Sequence, residues 1–322
     1  MPTQRGPGRA EAPGPSELIM MANVARDYYL ADKSKVEIAE EYGVSRYKVA
    51  RLLQAGRELG LIEFSIRLPT QLDAAASAAL RQRFGLKQAI VVRVAEGASL
   101  ETLRRAFAPV VADYLTETIE AGDVVGLAWS RLMVAASHEI TRLAPATLVQ
   151  ASGVMVRDDL EETAVELVRR LARVSGGPAI SFYAPIVVPT AAAAASLRDG
   201  DVAAALDKLS TINRAIVSIG AWGPGLSTVY DGISPAESAA LAMAGVVGEC
   251  AGILFGESGE PLPGLADRVM GMTYAQFRQA EHRAAIAYGM NTALAARALA
   301  GSGAVDTLIT SDLNAAEMLT EP

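Results

Sequence analysis

The stretch KVEIAEEYGVSRYKVARLL, residues 35–53, predicts two short helices joined by a tight turn. Its first half is apolar at helical spacing, from Val36 to Tyr42. Gly43 can adopt the positive φ that ends a helix at little cost, and Ser45 is suited to cap the helix that follows. The stretch therefore predicts a helix-turn-helix.

The second helix of this pair has two different faces. Its inward side is apolar, with Val49, Leu52 and Leu53. Its outward side carries Arg46, Tyr47, Lys48 and Arg51. This layout is typical of a recognition helix that enters a DNA major groove, with Ser45 and Lys35 near the phosphates. Packing of Tyr47 against the rest of the module is the alternative.

The sequence predicts four segments. A lead rich in Pro, Gly and Arg is expected to be disordered. It precedes a helix at 17–31, the helix-turn-helix and a short strand at 61–66, as in a small wing. The segments are a lead at 1–16, an all-α winged helix-turn-helix domain at 17–68, a linker helix at 69–86 and a large domain at 87–322.

Composition narrows the class of protein. The chain has 322 residues and is 51% hydrophobic, so it can bury a sizeable core. Its net charge of −7 lies in the large domain, because residues 1–68 hold 10 Lys/Arg and 9 Asp/Glu. No apolar run reaches the roughly 20 residues that span a bilayer, and no secretory signal is seen. The single cysteine, Cys250, fits a reducing cytoplasm. We therefore expect a cytoplasmic protein without a membrane partner.

From Gln88 onward, strand and helix patterns alternate. Strands are predicted at 88–94, 123–129, 147–153, 214–221, 268–273, 284–289 and 304–312. Helices are predicted at 99–121, 131–143, 159–175, 201–209, 235–244, 274–281 and 291–300. Pro185 limits the apolar segment 179–188 to an edge or a bend. This alternation predicts an α/β class domain with a Rossmann-like, mostly parallel sheet.

Ligands of open α/β sheets bind at the carboxyl ends of the strands, so the residues after each strand are the candidates. We expect one crevice lined by Trp129, Ser130, Arg131, Ser152, Gly153, Glu249, Gly289, Asn291 and Thr292. Arg131 is the cation that we assign to an anionic group of the ligand, unless it pairs with Glu139 or Asp158 instead. For each loop taken singly, ordinary turn chemistry is the alternative.

Signals for an enzyme are weak. The two histidines, His138 and His282, fall in predicted helices away from the strand ends, and no His/Cys cluster has metal-ligand spacing. There is no Walker A motif and no GxGxxG. We therefore predict no catalytic residue, no metal and no cofactor. Acid/base work by carboxylates such as Glu249 and Glu257 is the alternative.

From about residue 17 to its end, the chain resembles the SorC/DeoR-type sugar-binding transcriptional regulators. The resemblance lies in the segment 31–66 and in GDVVGLAWSRLM, APIVV, VVGECAGILF, AYGMNTALAARALA and VDTLITSDLNAAEML. It implies a large domain like the sugar-phosphate isomerases, a cytoplasmic tetramer of repressor type, double-stranded operator DNA as partner and a phosphorylated sugar or polyol as effector. A dimer is the other homo-oligomer that we expect.

Four positions differ from the family pattern. Ser130 and Leu132 stand where the family usually has Gly and Thr, Thr292 where it often has Lys, and Glu249 where Asp is commoner. A less charged sugar or polyol therefore stays open as the effector. The alternatives in function are an isomerase- or lactonase-like enzyme of sugar phosphates, and an architectural DNA-binding protein whose large domain only oligomerises.

Overall fold

The computed structural model describes residues 13–62, 71–155, 162–199, 201–289 and 291–320. The chain divides into two compact units, Met1–Arg67 and Leu68–Pro322. Each unit has its own hydrophobic core.

In its described residues, 13–62, the first unit contains three helices around a small core. They are α1 (Pro15–Tyr29), α2 (Lys35–Glu41) and α3 (Arg46–Glu58). Val24, Ile38, Val49 and Leu53 are buried between them. The predicted inward side of α3 is thereby confirmed. The predicted strand 61–66 is not seen at Leu61 and Ile62, which form a bend, and its remainder lies outside the described residues.

Local signals in the sequence set the helix ends. Ser34 and Glu37 form a capping box at the start of α2, and Ser45 accepts a hydrogen bond from the backbone N–H of Lys48 at the start of α3. Gly43 turns the chain between the two helices with φ +62°. These contacts fix the tight turn that the sequence predicts.

The second unit is built on a mostly parallel sheet. Its strands are β1 (Gln88–Val92), β2 (Val124–Leu127), β3 (Thr147–Gln150), β4 (Ala179–Ile180), β5 (Arg214–Ala221), β6 (Gly248–Cys250), β7 (Ile253–Phe255), β8 (His282–Ala287) and β9 (Thr307–Ser311). The order is β1-β9-β8-β5-β2-β3-β4, with every pair along this path parallel. The hairpin β6–β7 extends β5 in the antiparallel sense.

Helices follow most of the strands. They are α4 (Ala74–Phe84), α5 (Leu100–Thr118), α6 (Arg131–Glu139), α7 (Ala164–Ser175), α8 (Ala191–Arg198), α9 (Asp201–Lys208), α10 (Thr228–Gly232), α11 (Pro235–Met243), α12 (Tyr274–Gln279), α13 (Ala293–Gly301) and α14 (Asp312–Leu319), with a 3₁₀ turn at Leu209–Thr211. None of the helices in the described ranges has both the length and the apolar character needed to cross a membrane.

Both faces of the sheet are covered, as its parallel strands require. Along β5, Ala215 and Val217 enter one core cluster, whereas Ile216 between them enters the other. The first cluster receives side chains from α4, α13 and α14, and the second from α5, α6 and α7. The start of β5 is tied to the residue that precedes β2 by a buried ion pair, Arg214 Nε to Asp123 Oδ2 at 3.0 Å.

Strand order reverses between β2 and β5. The chain runs from β2 outward through β3 to β4, then returns to the other side of β2 with β5 and continues through β8 and β9. Such a reversal leaves a crevice above the carboxyl ends of the two strands. The fold therefore places its natural ligand site where β2 and β5 end.

The structure corrects several predictions. Leu80 of the predicted linker helix is fully buried in a core cluster of the second unit, so α4 is part of that unit. Segment 268–273 is not a strand, because its partners are isolated bridges such as Ser152 to Gly271. His282 begins β8 rather than ending a helix. β6, β7 and α14 were not predicted at all.

Candidate functional site

The outward face of α3 is open to solvent. Tyr47 is 79% exposed, and Arg46, Lys48 and Arg51 are exposed as well. The alternative in which Tyr47 packs against the module is therefore wrong for the described residues. Lys35 is half-buried, with its Nζ 5.5 Å from the centre of the Tyr28 ring, so part of its charge faces an aromatic ring.

A cleft of about 350 Å³ lies at the carboxyl ends of the central strands. Eight of the nine predicted crevice residues line it: Trp129, Ser130, Arg131, Ser152, Gly153, Glu249, Gly289 and Thr292. Asn291 lines a neighbouring pocket instead, together with Tyr288 and Gly289. Its φ of +59° belongs to the left-handed region, which re-aims the chain before α13 begins.

Ser130 joins the two central strands at the floor of the cleft. It caps α6 by accepting a hydrogen bond from the backbone N–H of Met133, and its hydroxyl lies 2.8 Å from the hydroxyl of Ser218 on β5. The N-terminal end of α6 therefore opens on the cleft, and the helix dipole favours an anion there.

Gly153 allows close packing beside the cleft. A Cβ at this position would lie 2.7 Å from the carbonyl oxygen of Ala184 and from the backbone of Ile186. The preceding turn is held by Gln150, whose side-chain amide donates to the carbonyl of Ser152 at 2.9 Å. Any side chain at position 153 would push the wall of the cleft apart.

Glu249 is a buried carboxyl group on β6. Its Oε1 accepts a hydrogen bond from the hydroxyl of Ser227 at 3.0 Å, and its Oε2 accepts one from the backbone N–H of Gly252 at 3.2 Å. Burial raises the pKa of Glu249 to about 7 despite these two hydrogen bonds. Near neutral pH the cleft therefore holds a carboxyl group that is partly protonated and partly ionised.

Cys250 follows directly on the same strand but is chemically passive. It is 1% exposed and lies in the core cluster on one face of the sheet. Burial raises the pKa of its thiol far above the usual range, and the neighbouring Glu249 adds to that shift.

The loop after β8 is anchored from α14. Asn314 donates from its side-chain amide to the hydroxyl of Thr292 at 2.9 Å and to the carbonyl of Ala287 at 3.1 Å. Thr292 in turn donates to the carbonyl of Gly289 at 2.8 Å. The backbone of this loop therefore reaches the cleft in a defined position.

Sequence reasoning missed several residues of the cleft. Arg104 lines it from α5, and its buried Nε has no hydrogen-bond partner among the described residues. It adds a second guanidinium, so Arg131 is not the cleft's sole cation. Ser218 and Ser227 add hydroxyl groups. The missed residues lie within a strand, before a helix or on a helix, and the rule of strand-end loops therefore did not find them.

The remaining candidates for metal binding and acid/base catalysis are placed as follows in the described part of the chain. No group of three His, Cys, Asp or Glu residues there is placed to hold a metal ion. Neither His138 nor His282 lines the cleft. Of the predicted carboxylates, Glu249 lies in the cleft, whereas Glu257 is exposed elsewhere.

Comparisons with known proteins agree in family and in fold. The model of the Sugar-bind family, a sugar-binding domain, matches residues 69–320. An uncharacterized transcriptional regulator of Escherichia coli K12, YjhU, is 29% identical over 272 residues, 81% of this chain and 82% of that protein. The deoxyribonucleoside regulator of Bacillus subtilis 168 is 36% identical over 110 residues, 34% of each protein.

Solved structures share the architecture. The full-length sorbitol operon regulator SorC from Klebsiella pneumoniae superimposes with a TM-score of 0.69 at 20% identity, over 95% of this chain and 100% of that one. A domain of a sugar-binding regulator from Arthrobacter aurescens TC1 gives 0.69 over 79% of this chain and 100% of that one.

Proposed function

The chain belongs to the SorC-type family of sugar-binding transcriptional regulators, and on that premise we propose that it is a DNA-binding regulator controlled by a carbohydrate-derived effector. The first unit reads operator DNA, and the second unit binds a sugar, polyol or sugar phosphate. One observation carries the proposal: a cleft of about 350 Å³, rich in hydroxyl groups, at the strand reversal of the sheet.

The lining of the cleft suits a polyhydroxylated ligand. Ser130, Ser218 and Ser227 present hydroxyl groups that donate and accept hydrogen bonds. Trp129 adds an aromatic wall of the kind against which the apolar face of a sugar ring packs. Glu249, beside Ser227, is suited to accept hydrogen bonds from ligand hydroxyls when it is ionised.

Arg104 and Arg131 give the ligand's anionic group its partners. Both residues line the same cleft, and the N-terminus of α6 opens on it. Arginine pairs with carboxylate and phosphate groups through two parallel hydrogen bonds. We therefore favour a phosphorylated effector, and an unphosphorylated polyol is the alternative.

In the first unit, Arg46, Tyr47, Lys48 and Arg51 are the proposed contacts to base edges and phosphates. Ser45 and Lys35 lie at the starts of α3 and α2, where phosphates are expected. One such module makes few contacts, so a homodimer or homotetramer on repeated half-sites is part of the proposal. The proposed setting is the cytoplasm.

The effector arm of the test uses the full-length chain. A panel of pentoses, hexoses and polyols, each with and without a phosphate, is screened by thermal shift. A ligand that raises the melting temperature of the wild type should lose about 2–5 kcal/mol of binding free energy with Arg131→Met or Arg104→Met. Arg142→Met is the matched control, because Arg142 is exposed and outside the cleft. No stabilising ligand in the panel would contradict the effector site.

The DNA arm uses duplexes that the full-length chain selects from a random pool. Arg46→Ala and Lys48→Ala should each cost roughly 1–3 kcal/mol in a gel shift at fixed salt, because each removes a contact in the groove. Arg57→Ala is the matched control, a cation in the last turn of the same helix. Adding the stabilising ligand should change the affinity for these duplexes. An affinity that stays unchanged would argue for the architectural role instead.

An enzyme of sugar phosphates is the second candidate. The observation that favours it is Glu249, a cleft carboxyl group whose pKa of about 7 suits general base catalysis. Incubation of the full-length chain with the phosphorylated members of the panel, followed by NMR, tests it. Turnover that Glu249→Gln abolishes would establish the enzyme, and intact ligand after prolonged incubation would exclude it for those compounds.

A further inference from the structure

Three side chains outside the cleft form a closed set of hydrogen bonds. His138 on α6 lies with its Nε2 2.9 Å from Oε1 of Glu162 and with its Nδ1 2.7 Å from a terminal nitrogen of Arg170 on α7. The other terminal nitrogen of Arg170 donates to Oε2 of Glu162. Each residue thus contacts both of the others, and none of the three lines the cleft.

The hydrogen-bond roles in this set are fixed by chemistry. A guanidinium group only donates, so Nδ1 of His138 accepts from Arg170. The ring proton therefore sits on Nε2 and is donated to Glu162. Both carboxylate oxygens of Glu162 receive a hydrogen bond, one from each helix. Two helices thereby hold one residue that belongs to neither.

Glu162 connects this set to the cleft. Its backbone carbonyl accepts the indole N–H of Trp129 at 2.9 Å. The indole has a single polar group, so this hydrogen bond fixes which way the ring turns. Trp129 lines the cleft directly before Ser130 and Arg131. This hydrogen bond therefore links the position of Glu162 to the orientation of the aromatic wall of the cleft.

We propose that His138, Glu162 and Arg170 are a positioning cluster that holds Trp129 in the wall of the cleft. Side chains that lock a site from behind determine how well its geometry is defined. The consequence for effector affinity rests on the proposed function. The position of Trp129 does not rest on the proposed function, because it is measured without any effector.

Tryptophan fluorescence tests the cluster directly. The chain has two tryptophans, so Trp222→Phe leaves Trp129 as the sole reporter. In that background, His138→Leu and Arg170→Met should each shift the emission of Trp129 to longer wavelength and increase its quenching by acrylamide. His138→Gln should keep the parent values, because its amide has an N–H that can donate to Glu162 and an oxygen that can accept from Arg170.

Arg173→Met is the matched control, since Arg173 is an exposed cation one turn further along α7. It should leave the emission of Trp129 unchanged. Circular dichroism verifies that each variant is folded. If His138→Leu does not fold, Arg170→Met alone provides the test. Unchanged emission in folded His138→Leu or Arg170→Met would overturn the proposal, as would an equal shift in Arg173→Met. A failed effector screen with the expected fluorescence would reject the proposed function and leave the cluster standing.

Discussion

The two units hold their polar side chains in opposite surroundings. In the first unit, the cations of α3 are exposed, and a core of three short helices supports them. In the second unit, polar groups such as Glu249 and Ser152 are buried at the ends of strands that are themselves covered on both faces. A surface that reads a large polyanion stays accessible, whereas a site for a small ligand has to exclude water around it.

The largest expected effect is on the smaller core. Leu53→Ala should cost about 2–5 kcal/mol of unfolding free energy, because Leu53 is buried among the three helices. A unit of this size has little stability to lose, so the variant should lose DNA binding while the second unit stays folded. Thermal unfolding followed by circular dichroism would show the first transition shifted alone.

Leu59→Ala is the control for that experiment, since Leu59 ends the same helix and is half-exposed. Leu59→Ala should shift the temperature of the first unfolding transition by far less than Leu53→Ala does. A single transition that moves as a whole in Leu53→Ala would show that the units unfold together, and the comparison between them would fail.

The next effect concerns the buried carboxyl group. The pKa of Glu249 is about 7 in the folded chain against a usual value of 4.5, so the folded chain keeps a proton that the unfolded chain releases between these pH values. Unfolding free energy should therefore fall by about 3 kcal/mol as pH rises from 4.5 through 7. Glu249→Gln should remove this slope, and the same slope in that variant would refute the assignment.

A smaller effect is expected at the anchored loop. Asn314→Ala removes donors from the carbonyl of Ala287 and the hydroxyl of Thr292 in a buried setting, which should cost about 1–3 kcal/mol. Effector affinity should fall as well, because Thr292 lines the cleft. Leu313→Ala, on the exposed side of the same helix, is the control in chemical denaturation and should have little effect.

The smallest expected effect is the loss of a helix cap, which can be compared between the two units. Ser34 and Thr273 each form a capping box, at the starts of α2 and α12. Replacing either by Ala should cost about 1 kcal/mol. The same cost should lower the melting temperature by roughly 4–8 °C in a small domain and 2–4 °C in a larger one. Equal shifts in calorimetry would mean that the two units share one transition.

The sequence predicted the elements whose signals are local. The turn around Gly43, the cap of α3 and most strands of the parallel sheet were found from spacing and composition. The segment 268–273 was wrongly predicted as a strand because its pattern is apolar. In the structure it makes only isolated bridges, since strand pairing depends on residues that are distant in the sequence. Arg104 was missed for the same reason, since only the packing of α5 brings it to the cleft.

Most predicted crevice residues do meet at the strand reversal, because parallel strands end at a common edge whatever their side chains are. Asn291 departs from this rule through its left-handed backbone, which a sequence alone does not reveal. That these residues bind an effector stays a prediction.

The burial of Cys250 makes the chain behave as though it had no cysteine. Maleimides and other thiol reagents attack exposed thiolates, so they should leave this residue untouched in the folded protein. A cysteine introduced at Met243, which is 91% exposed, or at Tyr47 would then carry a spin label or dye at one defined place in either unit. Distances between such labels in an assembled complex become measurable without first removing the natural thiol.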